Sequence, residues 1–342
     1  QEADSIMRAS MKQREFTRRR FLSVSATLGA ATLLPSLSVA GSGKFTPQVW
    51  TGTALGARAE IRLYSPDPQL AEQTIAGARR EIERLEYIFS LYRSASVLKR
   101  LNRKGILIAP PADFIRLLSE SHRISRLTHG AFDVSVQALW RLYKQYFTEF
   151  PDSPTGPSDR QIAEALQATD YLAISFDENR VILTEPNMAL TFNGIAQGYI
   201  TDRVVEHLKK NGFSNFVANI GEPRVVDTHP EGRPWIVGLK RPNQSFAEKK
   251  LNVVNKGIAT SAAAGTYFDR KKKFHHLLDT KTGRPGHGHL ALSVIADNAT
   301  LADGLSTAFA TMNVSQIVQC IKRIKGVDVY RCDQNGTWSS VS

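Results

Sequence analysis

The spacing of apolar residues changes period several times along this chain, and each change marks an element. Over residues 48–65 (QVWTGTALGARAEIRLYS) apolar and polar positions alternate, with β-branched and aromatic side chains among them, which predicts a pair of strands. From 69 to 92 the period becomes helical: Ile75, Ile82, Leu85 and Phe89 recur on one face of an amphipathic helix. A second helix is expected over 96–102. A third is expected over 113–127, with Phe114, Leu117, Leu118, Ile124 and Leu127 on its buried side and Gly130 placed as a C-terminal glycine. Residues 150–159 (FPDSPTGPSD) read as a loop before a helix over 160–167.

Short strands follow near 172–175 and 181–183, and 190–192 is expected to enter a strand that feeds a helix from Ala196. Strands over 216–219, 225–227, 235–239 and 251–254 come at meander spacing. The chain closes with a strand over 292–296, helices over 300–312 and 314–325, and a hairpin across Asp333-Gln334-Asn335-Gly336. Successive strands with tight turns, mixed with long helices, predict an α+β fold around an antiparallel sheet and argue against a doubly wound α/β fold.

At 342 residues, 42% hydrophobic and 22% charged, the chain is long enough for one large core or two modest ones. The formal charge of +12 is spread along the sequence, apart from the run Lys271–Lys273. No basic stripe interleaved with aromatics is present, so no nucleic-acid partner is expected; the excess charge suits solubility and the attraction of phosphate-bearing ligands. Cys320 and Cys332 are the only cysteines. They could pair in an oxidising compartment or remain two buried thiols, and two thiols cannot make a cysteine-rich zinc site.

The first 40 residues read as an address. Thr17-Arg18-Arg19-Arg20-Phe21-Leu22 fits the twin-arginine export pattern, a moderately apolar stretch runs to Ala40, and Ser38-Val39-Ala40 offers a cleavage site after Ala40. The Ser, Thr and Pro content of the stretch argues against a membrane anchor. The expected organisation is therefore an N-terminal extension with a twin-arginine signal over 1–40, one domain over 41–342, and a periplasmic location.

Neither a G-x-G-x-x-G nor a Walker A loop occurs, and the G-x-S-x-G elbow and H-E-x-x-H helix are also absent. What remains is a set of small and polar clusters, several at strand-to-helix junctions where backbone N–H groups are open to an anion. Asp303 and Thr307 stand out. Four residues apart, they share one face of an otherwise apolar helix, and a hard cation with oxygen ligands is a reason to place them there. His275, His276, His287 and His289 allow a zinc cluster as a competing reading, though no Cys or Glu completes it. Asp133 is either a ligand contact or a buried helix-capping carboxylate.

In order, these clusters resemble the ApbE family from Trp50 to Thr311. Gly52-Thr53 is similar to the family's opening Gly-Thr pair, and YRSASVLKRLN (92–102) to its Tyr…Ser-x-Leu…Leu-Asn segment. GAFDVSV (130–136) resembles its Gly-x-Phe-Asp motif and NGIAQGY (193–199) its Gly-x-Ile-Ala-Lys-Gly motif. HHLLDTKTGRP (275–285) is similar to its His-Ile-x-Asp-x-x-Thr-Gly-x-Pro motif, and LADGLSTA (301–308) to its Ala-Asp-x-Leu-x-Thr-Ala motif. The resemblance implies an ApbE-like, T-fold-like domain that moves the FMN half of FAD onto a Thr or Ser hydroxyl of a target protein and releases AMP, helped by Mg²⁺.

By motif position it implies Asp303 and Thr307 as metal ligands, with Gly194 (through its carbonyl) and Thr300. FAD contacts are implied at Thr51, Tyr92, Ala131, Phe132, Asp133, Thr191, Gln197 and Leu277. His276 is the expected general base, oriented by Asp279. Three positions depart from the pattern: Gln197 replaces a Lys, Gly221-Glu222-Pro223 replaces Gly-Gly-Asp, and Val97 replaces a Glu. With the twin-arginine signal, these departures resemble the branch that flavinylates a membrane-anchored redox partner in nitrous-oxide respiration. Gln197 also keeps open a flavin carrier without turnover, and attack by water in the same site would make a metal-dependent FAD pyrophosphatase.

Overall fold

The computed structural model describes residues 31–33, 47–242, 244–286 and 288–342. Residues 1–30 and 34–46, with most of the expected signal and its cleavage site, lie outside the described residues, as does His287. The described elements are β1 (Ala31–Leu33), β2 (Pro47–Ala54), β3 (Ala57–Tyr64), α1 (Pro68–Phe89), α2 (Val97–Lys104), β4 (Ile106–Ile108), α3 (Ala112–Leu127), α4 (Gln137–Glu149), α5 (Asp159–Gln167), β5 (Ile174–Phe176), β6 (Arg180–Leu183) and α6 (Ala196–Lys210). There follow β7 (Phe216–Ile220), β8 (Pro223–Val226), β9 (Trp235–Leu239), β10 (Lys249–Val253), β11 (Gly257–Ala262), β12 (Ala291–Ala296), α7 (Ala299–Phe309), α8 (Val314–Ile321), β13 (Asp328–Cys332) and β14 (Trp338–Val341).

Among the described residues, the main sheet is antiparallel in the order β14-β13-β12-β11-β8-β7-β3-β2, and two three-stranded sheets stand beside it, β1-β9-β10 and β4-β6-β5. The α+β expectation holds. The alternation seen in 48–65 folds as the β2–β3 hairpin, turning at Leu55 and Gly56, both at positive φ. On β3 the inward positions Ala59, Ile61 and Leu63 are fully buried while the alternate positions are not. Helix α1 starts at a capping residue, Asp67, whose side chain accepts from the Leu70 N–H, with Pro68 at the first helical position. Its stripe of Ile75, Ile82, Leu85 and Phe89 is buried in the largest apolar cluster.

That cluster joins the inner face of the sheet to α1, α3, α6 and α7. Helices α6 and α7 also pack on each other, and α7 on β11 and β12. Glycine sets their separation. A Cβ on Gly198 would sit 2.3 Å from the Ala299 carbonyl oxygen, so no other residue lets the first turns of the two helices approach this closely. Asp202 of α6 locks the pairing. Its carboxylate accepts from the backbone N–H groups of Ala299 and Thr300 and from the Thr300 hydroxyl, and pairs with Arg224 at 2.6 Å.

Three details differ from the sequence expectations. Residues 190–192 form no strand: the Leu190 N–H and carbonyl are both held by the Asn102 side chain, at 2.7 and 2.8 Å, and Thr191 donates to Val134. Residues 171–173 form a 3-10 turn ahead of β5. Helix α4 and strands β4 and β11 stand where no element was expected. Cys320 and Cys332 are free and buried. Among the described residues, no helix is long and apolar enough to cross a membrane.

Candidate active site

A pocket of about 150 Å³ opens where the α6 and α7 N-terminal halves meet β11, the turn after β7 and the loop after β11. Ala131, Asp133, Thr191, Gly194, Gln197, His276, Leu277, Asp303 and Thr307 line it, so most of the residues expected from the sequence converge here. It adjoins a second cavity of about 300 Å³ that holds Tyr92, Lys99, Arg103 and Arg141. Gln137, Trp140 and Asn193 line both, which makes one continuous cleft.

The pocket floor is a cluster of oxygens. Asp303 is 4% exposed and its Oδ2 accepts from the Gly198 N–H at 3.0 Å. Helix α6 has no side-chain cap of its own at Ile195, so Asp303 reaches across from α7 to satisfy its first turn. One turn further along α7, the Thr307 hydroxyl lies 3.2 Å from the Gly194 carbonyl oxygen, to which it donates. Carboxylate, hydroxyl and carbonyl oxygens brought together in this way suit a hard divalent cation. Burial drives the Asp303 carboxyl well above the usual carboxylate range, the Gly198 N–H opposes that rise and nearby Asp202 adds to it. A bound cation would reverse the shift by stabilising the charged form.

His276 lines the same pocket. Its Nδ1 is 3.1 Å from the Thr266 carbonyl oxygen, an atom that can only accept, so Nδ1 carries the proton and Nε2 keeps its lone pair. Burial pushes its pKa down to about 4, with the Thr266 hydrogen bond opposing and His275 adding to the fall. His276 is therefore neutral at pH 7. Asp133 uses both oxygens within the protein: Oδ1 accepts from the Ser135 N–H and hydroxyl at 2.7 and 2.6 Å, and Oδ2 from the Tyr171 N–H at 2.9 Å. It lines the pocket as a capping carboxylate that burial raises to about 6.

Four expected site residues are placed elsewhere. Asp279 does not orient His276; its Oδ1 accepts from the Lys281 N–H at 2.7 Å and closes the turn that follows. Thr300 gives its hydroxyl to Asp202 in the α7 cap and does not line the pocket. The Phe132 side chain is 3% exposed within the main core. Thr51 is exposed on the edge strand β2, opposite Glu60. The zinc reading finds no support in the histidines: His275 and His289 each direct Nε2 to a backbone carbonyl, and no group of three or more metal-binding side chains occurs among the described residues.

Sequence reasoning missed Gln137, Trp140, Asn193, Thr260 and Ser261 as lining residues, and it noted Glu222 only as a departure from a motif. Glu222 occupies the turn between β7 and β8, 8% exposed, with Oε2 lacking any hydrogen-bond partner. Burial raises its carboxyl far above the usual range, the Asp303 charge adds to this, and the Thr260 N–H opposes it.

The α+β domain thus brings an oxygen cluster at a helix-helix junction and a neutral histidine into one pocket. A profile of the ApbE family matches residues 55–331, and the chain belongs to that family. Among its relatives is a Haemophilus influenzae protein named FAD:protein FMN transferase, 26% identical over 86% of this chain and 89% of the relative. A Klebsiella pneumoniae protein of the same name is 25% identical over 92% and 95%. The apo crystal structure of a Pseudomonas stutzeri flavinyl transferase ApbE superposes with a TM-score of 0.74 at 26% identity, covering 87% of this chain and 95% of that one. The flavin transferase ApbE from Vibrio cholerae shares the fold, with a TM-score of 0.75 at 22% identity over 87% and 98% of the two chains.

Proposed function

We propose that this chain is an FAD:protein FMN transferase, which moves FMN from FAD to a Thr or Ser hydroxyl of a redox protein and releases AMP with the help of Mg²⁺. The observation that carries the reading is the meeting of Asp303, Thr307 and Gly194 with His276 in one pocket of a chain of this family. The acceptor oxygen attacks the phosphorus on the FMN side of the pyrophosphate, the bond from that phosphorus to the bridging oxygen breaks, and AMP departs with the electron pair. His276 Nε2 takes the acceptor's proton; its lowered pKa keeps it unprotonated before the step. The Thr266 carbonyl fixes the ring and its tautomer. The oxygen cluster fits Mg²⁺, which when bound would neutralise charge on the pyrophosphate. Trp140 and Tyr92 supply aromatic faces along the cleft for flavin or adenine.

The same reading takes residues 1–40 as a twin-arginine signal and the remaining chain as a periplasmic domain serving a membrane-anchored partner in nitrous-oxide respiration; the motif at Arg18-Arg19 is its support. Gln197, neutral where the family pattern has Lys, favours a second reading as a flavin carrier. An AMP assay with FAD and Mg²⁺ separates the readings. AMP release that requires an acceptor domain supports transfer. AMP release without acceptor points to a pyrophosphatase, and FAD binding with no AMP to a carrier. Asp303→Ala is expected to abolish Mg²⁺-dependent release while leaving the fold intact.

A further inference from the structure

Charge is divided unevenly along the cleft: Lys99, Arg103 and Arg141 line its second cavity, and carboxylates line the pocket. Asp133, Glu222 and Asp303 line the pocket, and among the described residues no Lys or Arg does. Arg224, the cation nearest in sequence to Glu222, is engaged by Asp202. A pyrophosphate entering this pocket would add further negative charge beside Glu222 and Asp303.

Glu222 is held in place by its backbone. Its carbonyl accepts from the Thr201 hydroxyl at 2.8 Å, and that hydroxyl accepts from the Ile220 N–H at 3.1 Å, so the turn is fixed to α6. Gly221 takes φ +105°, and the Gln197 side chain packs over it so closely that a Cβ there would lie 2.6 Å from the Gln197 Cδ. The turn cannot move without displacing Gln197. The Glu222 Oε2 has no hydrogen-bond partner. An unpartnered buried oxygen is costly in either protonation state, because a carboxylate there lacks a donor and a carboxylic acid lacks an acceptor. A cation beside Asp303 removes that cost in one step.

We infer that Glu222 Oε2 is a further oxygen donor to the divalent cation of this pocket, so that the ion is held between two carboxylates, from Asp303 and Glu222. The inference rests on the cation reading given under Proposed function. It supplies positive charge in the part of the cleft that Lys99, Arg103 and Arg141 do not line, and it makes cation affinity in this chain depend on a residue outside the α7 motif.

The test is Mn²⁺ binding by electron paramagnetic resonance. The full chain is stripped with a chelator and compared with E222Q and D303N. Gln keeps the volume at 222 while removing the charge. Wild type is expected to bind Mn²⁺, E222Q to bind it at least tenfold more weakly, and D303N to lose it. Equal affinity of E222Q and wild type, within twofold, overturns the inference; if D303N still loses the ion, the cation reading survives. A wild-type chain that binds no Mn²⁺ overturns both. Thermal melting without metal checks that E222Q is folded, and if it is not, E222A takes the same test with the same expected loss.

Discussion

Gly198→Ala tests whether the contact between α6 and α7 builds the site. The new Cβ would lie 2.3 Å from the Ala299 carbonyl oxygen, 2.6 Å from its carbon and 2.9 Å from the Asp303 Cβ. The first two are backbone atoms, so no rotamer change relieves the overlap. Replacing Gly with Ala inside a helix gains up to about 1 kcal/mol from propensity. Against this, overpacking costs about 1–3 kcal/mol. Separating the first turns also breaks the hydrogen bond from the Gly198 N–H to Asp303 and leaves buried polar groups unpaired, about 1–3 kcal/mol. The net expectation is a loss of about 3 kcal/mol, which lowers the urea midpoint by about 1 M. Because Asp303 is displaced with the helix, Mn²⁺ affinity should fall as well. A midpoint within about 0.2 M of wild type, with unchanged Mn²⁺ affinity, would refute the claim that this contact positions the carboxylate.

Three further predictions concern single residues. Asp202→Ala removes the acceptor of the Ala299 and Thr300 N–H groups and leaves Arg224 without its ion-pair partner, so stability should fall by about 3 kcal/mol in urea titrations. His276→Asn should slow AMP release at saturating FAD by about 10²- to 10⁴-fold with FAD affinity little changed, measured by flavin fluorescence. His122 on α3 is buried against Tyr171 and Phe176 with Nε2 unpartnered, and burial lowers its pKa to about 4. Its unfolded value is about 6.5, so the stability it lends is present above pH 6.5 and is lost as pH falls towards 4. His122→Leu should therefore lose less stability than wild type between pH 7.5 and 4.5, by roughly 2 kcal/mol; parallel losses in the two proteins would contradict this.

The sequence made some parts of the molecule legible and hid others for identifiable reasons. Helix α1 and the β2–β3 hairpin bury one face each, so their periods survive in the residue pattern. Helix α4 carries a signal too: Leu139, Tyr143 and Phe147 are spaced four apart and buried together. Aromatic residues at intervening positions, such as Trp140 and Tyr146, blur that stripe, and one of them faces the cleft. Residues 190–192 look like a strand because Leu190 and Phe192 flank the β-branched Thr191. The Leu190 N–H and carbonyl are instead taken up by Asn102, a side chain 88 positions away, and no local pattern encodes that.

The pairing of Asp303 with Thr307 was readable from helical spacing alone. The placement of Asp279 was not, because a turn closing on Lys281 directs its carboxylate away from the histidine three residues earlier. Glu222 was hidden for a different reason. A lone Glu in a turn is usually solvated, and only the packing of β7, β8, β11 and α6 makes it a buried, half-satisfied carboxylate.

Intact-mass analysis of a candidate acceptor domain, after incubation with this chain, FAD and Mg²⁺, tests the central claim most directly. The account predicts a mass gain equal to FMN less one water on a Thr or Ser of the acceptor, with one AMP released per adduct. FAD bound tightly by the folded chain, with no adduct on any acceptor domain tried and no AMP coupled to acceptor, would contradict it.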